Sequence, residues 1–182
     1  MEFTLFYQGE LKSNGSIKHK QFIRREFHKQ LMNIWDQGIF LSLKKELIER
    51  DMLTNWKRGS FNFLPIVNGL YSQVAQLNIF ILWPDAPGYI VVNKGDIDNR
   101  LKTLLDALRV PINIQEIPKN ESPHEDEDIF YCLLEDDKLI TKISISTDRL
   151  LYPDVNHSEV KLFIRVNIKP SKMAFDDIAY AY

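Results

Sequence analysis

Asp96 and Asp98 stand two residues apart, Lys102 follows one helical turn later, and Asp106 lies one turn beyond that. In extended chain, alternation puts Asp96 and Asp98 on the same side and Ile97 on the other. Two carboxylates that close repel each other unless a cation sits between them. Their hard oxygens suit Mg²⁺ or Mn²⁺. A bound metal of this kind lowers the pKa of water and stabilises charge on an attacked phosphate, so the inventory fits phosphodiester hydrolysis. Lys102 adds a cation for the phosphate or the leaving oxygen. A second carboxylate cluster, Glu135-Asp136-Asp137, falls in a tight turn between two apolar runs. If Asp137 meets Asp96 and Asp98, the site has three carboxylates and one lysine. Each feature also has a plainer reading. An isolated Asp-x-Asp is ordinarily a loop or a cap, Lys102 and Asp106 at i, i+4 make an ordinary surface pair, and Asp is favoured in turns. Glu135 and Asp136 read as turn or supporting residues.

The elements that must position these residues can be read from periodicity. Residues 98–109 carry Leu101, Leu104, Leu105 and Leu108 at i, i+3, i+4 and i+7, one apolar stripe of a helix. Asp98, Lys102 and Asp106 share another face, Asp98 is placed as an N-cap, and Pro111 closes the helix. Residues 2–8 alternate as a first strand, and residues 8–16 form a loop with an Asn14-Gly15 turn signal. Residues 18–36 are helical, with Phe22, Phe27, Leu31 and Ile34 near one stripe, Ile23 and Trp35 beside it, and Gly38 as a stop. A second helix covers about 41–52. Strands are expected at 61–67, 74–83, 130–134, 139–146 and 159–169, with a short extended piece at 89–92. Residues 111–129 are polar, proline-containing and acidic, and read as a surface loop. Helices and strands do not alternate strictly, so the expected class is α+β, a mixed sheet with helices packed on one face.

The pattern Asp96-x-Asp98-Asn99-x-x-Lys102-x-x-x-Asp106-Ala107-Leu108, with Asp136-Asp137 before a later strand, resembles the signature of the RusA-like Holliday junction resolvases. The resemblance is dense over about fourteen residues, thin elsewhere, and accompanied by a similar order of elements. It implies a two-layer α+β fold and a homodimer that nicks four-way DNA junctions symmetrically during recombination and repair. By motif position it implies Asp96, Asp98 and Asp137 as ligands of Mg²⁺ (or Mn²⁺), Lys102 as the lysine needed for cleavage, and Asn99, Asp106 and Asp136 as supporting residues. The chain departs from that pattern in being longer, in being acidic overall, and in carrying what looks like an insertion over 110–134, with its acidic loop at about 110–129. These departures leave room for a flap or RNA nuclease, or for a binding protein without cleavage.

The 182 residues, 45% hydrophobic and 26% charged, suit one domain over 1–182 with a core that needs no staples. The single cysteine, Cys132, excludes an internal disulfide and a zinc knuckle and suggests a reducing, cytoplasmic compartment. The N-terminus lacks a signal-peptide pattern, and no run of about 18 apolar residues marks a membrane span. His19, His28, His124 and His157 show no metal spacing, and no Gly-rich phosphate loop appears. The net charge of −2 hides an asymmetry. Residues 11–29 hold six basic residues against one acid, and residues 115–137 hold nine acids against one base. The basic segment suits phosphate contacts, with Lys18, Lys20 and Arg24 as candidates, or is simply a solvated helix face. The run Glu125-Asp126-Glu127-Asp128 reads as a solvated loop.

Overall fold

Alternating burial opens the chain: β1 (Glu2–Glu10) turns Leu5 and Tyr7 inward and leaves Thr4, Phe6 and Gln8 exposed. The structure is a computed structural model, and it describes residues 1–84, 97–151 and 159–171. The extended piece expected at 89–92 and the carboxylate of Asp96 lie outside the described residues.

After β1 come α1 (Ile17–Trp35) and α2 (Gly38–Glu49). The Ser16 hydroxyl caps α1 by accepting from the His19 N–H. The stripe of α1 differs from expectation. Ile23, Phe27, Leu31 and Trp35 are buried at i, i+4, i+8 and i+12, joined by Arg24 and His28, while Phe22 is 56% exposed. A step of four residues advances 400° around a helix of 3.6 residues per turn, so the buried line drifts and leaves Phe22 outside it. Gly38 does not stop α1; it opens α2, with φ +52 in the left-handed region that glycine enters without a Cβ clash.

A short 3-10 turn (Met52–Trp56) leads to β2 (Lys57–Arg58), β3 (Phe61–Val67) and β4 (Gln73–Trp83). α3 (Ile97–Leu108) follows, then β5 (Phe130–Leu134), β6 (Ile140–Arg149) and β7 (Glu159–Pro170). The class is α+β, as expected, but with two mixed sheets rather than one, ordered β1-β7-β4-β6 and β2-β3-β5. β3 and β5 pair in parallel and are buried on both faces, which is why they read as continuous apolar runs. The turn at 135–138 is therefore no hairpin, because β5 belongs to the small sheet and β6 to the large one.

In the large sheet, β4 puts Ala75, Leu77, Ile79, Ile81 and Trp83 inward, and β7 adds Val160, Leu162, Ile164, Val166 and Ile168. This inner face shares one continuous core with α1, α3 and the small sheet. The outer face carries Phe6, Phe163 and Phe80 in one row across three strands. Among the described residues no helix is long and apolar enough to cross a membrane.

The expected surface loop at 111–129 is in fact strapped down. Arg25 grips Glu127 through two hydrogen bonds of 2.8 and 3.0 Å and also contacts Glu121. Arg109 forks onto Glu116 at 2.9 and 3.1 Å. Glu127, part of the run read as solvated, is only 3% exposed. Burial alone would raise the Glu127 and Glu116 carboxyls, but hydrogen bonds from Arg25 and the His124 N–H, and from Arg109 and the Ile112 N–H, outweigh it and hold both below the ordinary range. Burial lowers the His28 imidazole, whose Nδ1 accepts from the Tyr131 N–H at 2.9 Å.

These shifts fix how stability varies with pH. A depressed histidine keeps its full contribution above the unfolded value of 6.5 and loses it as pH falls below that. Depressed glutamates keep theirs above 4.5 and lose it as pH falls through their folded values. The melting temperature is therefore expected to sag below pH 6.5 and to drop more steeply below 4.5, read by calorimetry at fixed ionic strength. Glu127→Gln is expected to cost about 2 kcal/mol at pH 7 in urea titration, and less at pH 3.5. An equal loss at both pH values would show that the strap does not depend on charge.

Candidate active site

The core-facing side of α3 is carried by Arg100, Thr103, Leu104, Ala107 and Leu108, all buried, with Leu101 and Leu105 at its margins. That side is anchored twice at its N-terminal end. The Gly15 N–H donates to Thr103 Oγ1 at 2.8 Å, an approach that needs glycine, since a Cβ at Gly15 would lie 2.6 Å from Thr103 Cγ2. Arg100 donates to the Leu11 carbonyl and stacks over the Trp83 ring, 4.9 Å from its centroid. Arg100 escaped the sequence reading; its only signal was its place inside the motif, between Asp98 and Lys102.

With that side held inward, Asp98 and Lys102 emerge on the exposed side, one turn apart. Asp98 stands in the first turn of α3 rather than as its N-cap, at the end where the helix dipole favours a carboxylate. Asp106 is not paired with Lys102. It accepts from Lys20 at 2.7 Å and from Arg109 at 2.9 Å. Burial would raise its carboxyl, but those two cations hold it below the ordinary range. Its supporting role is thus structural: it joins α1 to the C-terminal end of α3. Lys102 has no ion-pair partner among the described residues. The Asn99 carbonyl accepts from the Thr103 hydroxyl within the helix.

The expected basic contacts with DNA fare unequally. Arg24 is 1% exposed and spends its guanidinium on Gln21 and on the carbonyls of Asp106 and Arg109, so it cannot reach a phosphate. Lys20 is engaged by Asp106. Lys18 is exposed. The polar end of a long side chain on the buried side of a helix was what the sequence reading missed.

The second carboxylate cluster lies elsewhere. Glu135 accepts from the Gly69 N–H at 2.7 Å, and Asp136 caps the following turn by accepting from the Lys138 N–H at 2.9 Å. That hydrogen bond holds the Asp136 carboxyl below its usual range. Asp137 is exposed, three residues before Ile140, which pairs with Ala75 at the start of β4. Asp98 is two residues from Arg100, which stacks on Trp83 at the end of β4. Ala75 and Trp83 are eight residues apart on one strand, roughly 26 Å at about 3.3 Å per residue. The register thus sets Asp137 and Asp98 toward opposite ends of β4, while Asp96 lies outside the described residues. Among the described residues no group of three His, Cys, Asp or Glu side chains is gathered to hold a metal.

Compared with family models, curated proteins and solved structures, the chain shows no match.

Arg24→Met is expected to cost about 2 kcal/mol of stability in urea titration, because it strips charged hydrogen bonds from buried carbonyls. Lys18→Ala is expected to stay within about 0.5 kcal/mol. Equal, small effects of both would place Arg24 in solvent and restore it as a phosphate contact.

Proposed function

We propose that the chain is a divalent-metal-dependent endonuclease acting on branched DNA, of the RusA-like junction-resolving kind. One observation carries the reading. Asp106 is taken by Lys20 and Arg109, so Lys102 is left on the exposed side of α3, one turn from Asp98. An ordinary surface pair would have spent Lys102 on Asp106. Asp98, with Asp96 two residues before it, would hold Mg²⁺ or Mn²⁺ at the N-terminal end of the helix. The metal would supply activation of water and charge neutralisation at phosphorus. Lys102 would stand beside the same phosphate and stabilise the charge that builds on its oxygens. Arg100 is a positioning residue, pinning the first turn to Leu11 and Trp83 so that Asp98 and Lys102 keep their spacing.

The distance between Asp137 and Asp98 favours a second reading, a protein that binds junctions or single strands without cutting them. A labelled four-way junction incubated with Mg²⁺ or with EDTA separates the two. Paired nicks that need the metal, fall at least about a hundredfold in Lys102→Ala, and vanish in Asp98→Asn while binding persists are the expected result. Binding without nicks in Mg²⁺ and Mn²⁺ would favour the second reading. Preferential cutting of flaps or RNA would keep the chemistry and change the substrate.

A further inference from the structure

Phe6, Phe163 and Phe80 are register partners on β1, β7 and β4, so three rings stand side by side on the outer face of the large sheet. They are 40, 37 and 39% exposed. Single apolar side chains are common on protein surfaces, but a contiguous group of large ones marks a contact surface. The Phe6 and Phe163 rings lie 5.2 Å apart between centroids, tilted by 49°. Cations are interleaved with this row. At the two-residue period of a strand, Lys161, Phe163, Arg165, Asn167 and Lys169 share the outer side of β7. Thr4 and Asn78, both exposed, flank Arg165 on β1 and β4.

The aromatic row divides the charges of this face. Toward Asn167, the register of the described strands places Arg165, Lys169 and Lys142 against one acid, Glu2. Glu2 is itself taken by Arg165 at 2.9 Å and by the Asn167 amide at 2.6 Å. In the other direction the register places Lys161 against Asp148, Glu159 and Glu10. Rings beside a cationic half-face are what a chain with stackable bases and a phosphate backbone needs. Thr4 and Asn78 offer hydrogen bonds to base edges at the border between rings and cations. A duplex cannot use such rings, because its bases already stack on one another. An apolar protein surface or a layer of acyl chains would strip water from Arg165, Thr4 and Asn78 without replacing it.

We propose that the outer face of the large sheet is a second nucleic-acid site, one that holds single-stranded DNA. Bases stack on Phe6, Phe163 and Phe80, and the backbone passes over the half that carries Arg165, Lys169 and Lys142. The choice of DNA rests on the nuclease reading above, whose substrate is DNA; the stacking face does not depend on it. This face is separate from the candidate active site. Asp98 and Lys102 belong to α3, whose buried side joins the core on the inner face of the sheet.

The test uses the full chain in EDTA, so that no cutting intervenes, and follows a fluorescent oligothymidylate by anisotropy. Phe163→Leu keeps an apolar side chain and removes the ring; it is expected to weaken binding about fivefold or more, and Phe163→Tyr to preserve it. Phe80→Leu, on another strand, is expected to repeat the loss, so a folding defect at one position does not decide the matter. Arg165→Gln and Lys169→Gln are expected to weaken binding and to flatten its salt dependence, whereas Lys161→Gln, on the acidic half, leaves both nearly unchanged. Iododeoxyuridine placed in the oligonucleotide is expected to photo-cross-link to the peptides that carry Phe6, Phe80 or Phe163. Binding that is indifferent to Phe163→Leu and Phe80→Leu, with cross-links confined to α3, would overturn the second site and leave the nuclease reading standing. Tighter binding of a matched duplex, of oligouridylate or of anionic phospholipid vesicles would also overturn it. A chain that binds the oligonucleotide through these rings yet nicks no junction in Mg²⁺ or Mn²⁺ would keep the second site and sink the nuclease reading instead.

Discussion

The parallel pairing of β4 with β6 governs the layout of this molecule. Two parallel neighbours cannot be joined by a turn, so the chain between them must travel the length of the sheet. That journey is made by α3, whose twelve residues rise about 18 Å. It begins beside Trp83 and ends where the Val110 N–H donates to the Leu134 carbonyl at 2.9 Å. Whatever chemistry stands at the start of α3 is thereby held at one end of the sheet. The turn that follows β5 is held at the other.

A layer of buried charge makes this crossover rigid. Arg24, Arg109, Asp106 and Lys20 lie where α1, α3 and the start of the acidic segment converge. Burying guanidinium groups is costly unless their donors are satisfied. Here carbonyls at the end of α3 and the carboxylates of Asp106 and Glu116 satisfy them. The basic and acidic stretches that nearly cancel in the net charge are joined directly through Arg25, which pairs with Glu121 and Glu127. Arg25, the residue after Arg24, thereby repeats the pattern. In Lys20, Arg24 and Arg25, charge that a composition reading offers to nucleic acid is spent on holding the fold together.

Against that background, the exposure of Asp98 and Lys102 gains meaning. Lys102 is exposed because its neighbour Asp106 is engaged elsewhere, and Asp98 because Arg100 and Thr103 rotate the opposite side of the helix into the core. The two edges of the large sheet differ as well. Gln30 covers the backbone of β1, whereas among the described strands β6 pairs with β4 alone.

The amino-acid sequence by itself determined the elements and the spacing along α3. Strict alternation in β1, β4 and β7, unbroken apolar runs in β3 and β5, and the leucine periodicity of α3 are local properties, legible because period two and period 3.6 differ. The same periodicity set Asp98 and Lys102 one turn apart. Three things were beyond it. Whether the strands around Asp136 form a hairpin or join two sheets depends on which distant strands they pair with, β3 and β4. Whether Arg24 and Glu127 face water or each other's neighbours depends on packing between segments about a hundred residues apart, and a charged residue looks the same in both settings. Whether Asp137 meets Asp98 depends on the parallel pairing of β4 and β6, a long-range choice that places two halves of one motif at opposite ends of a sheet.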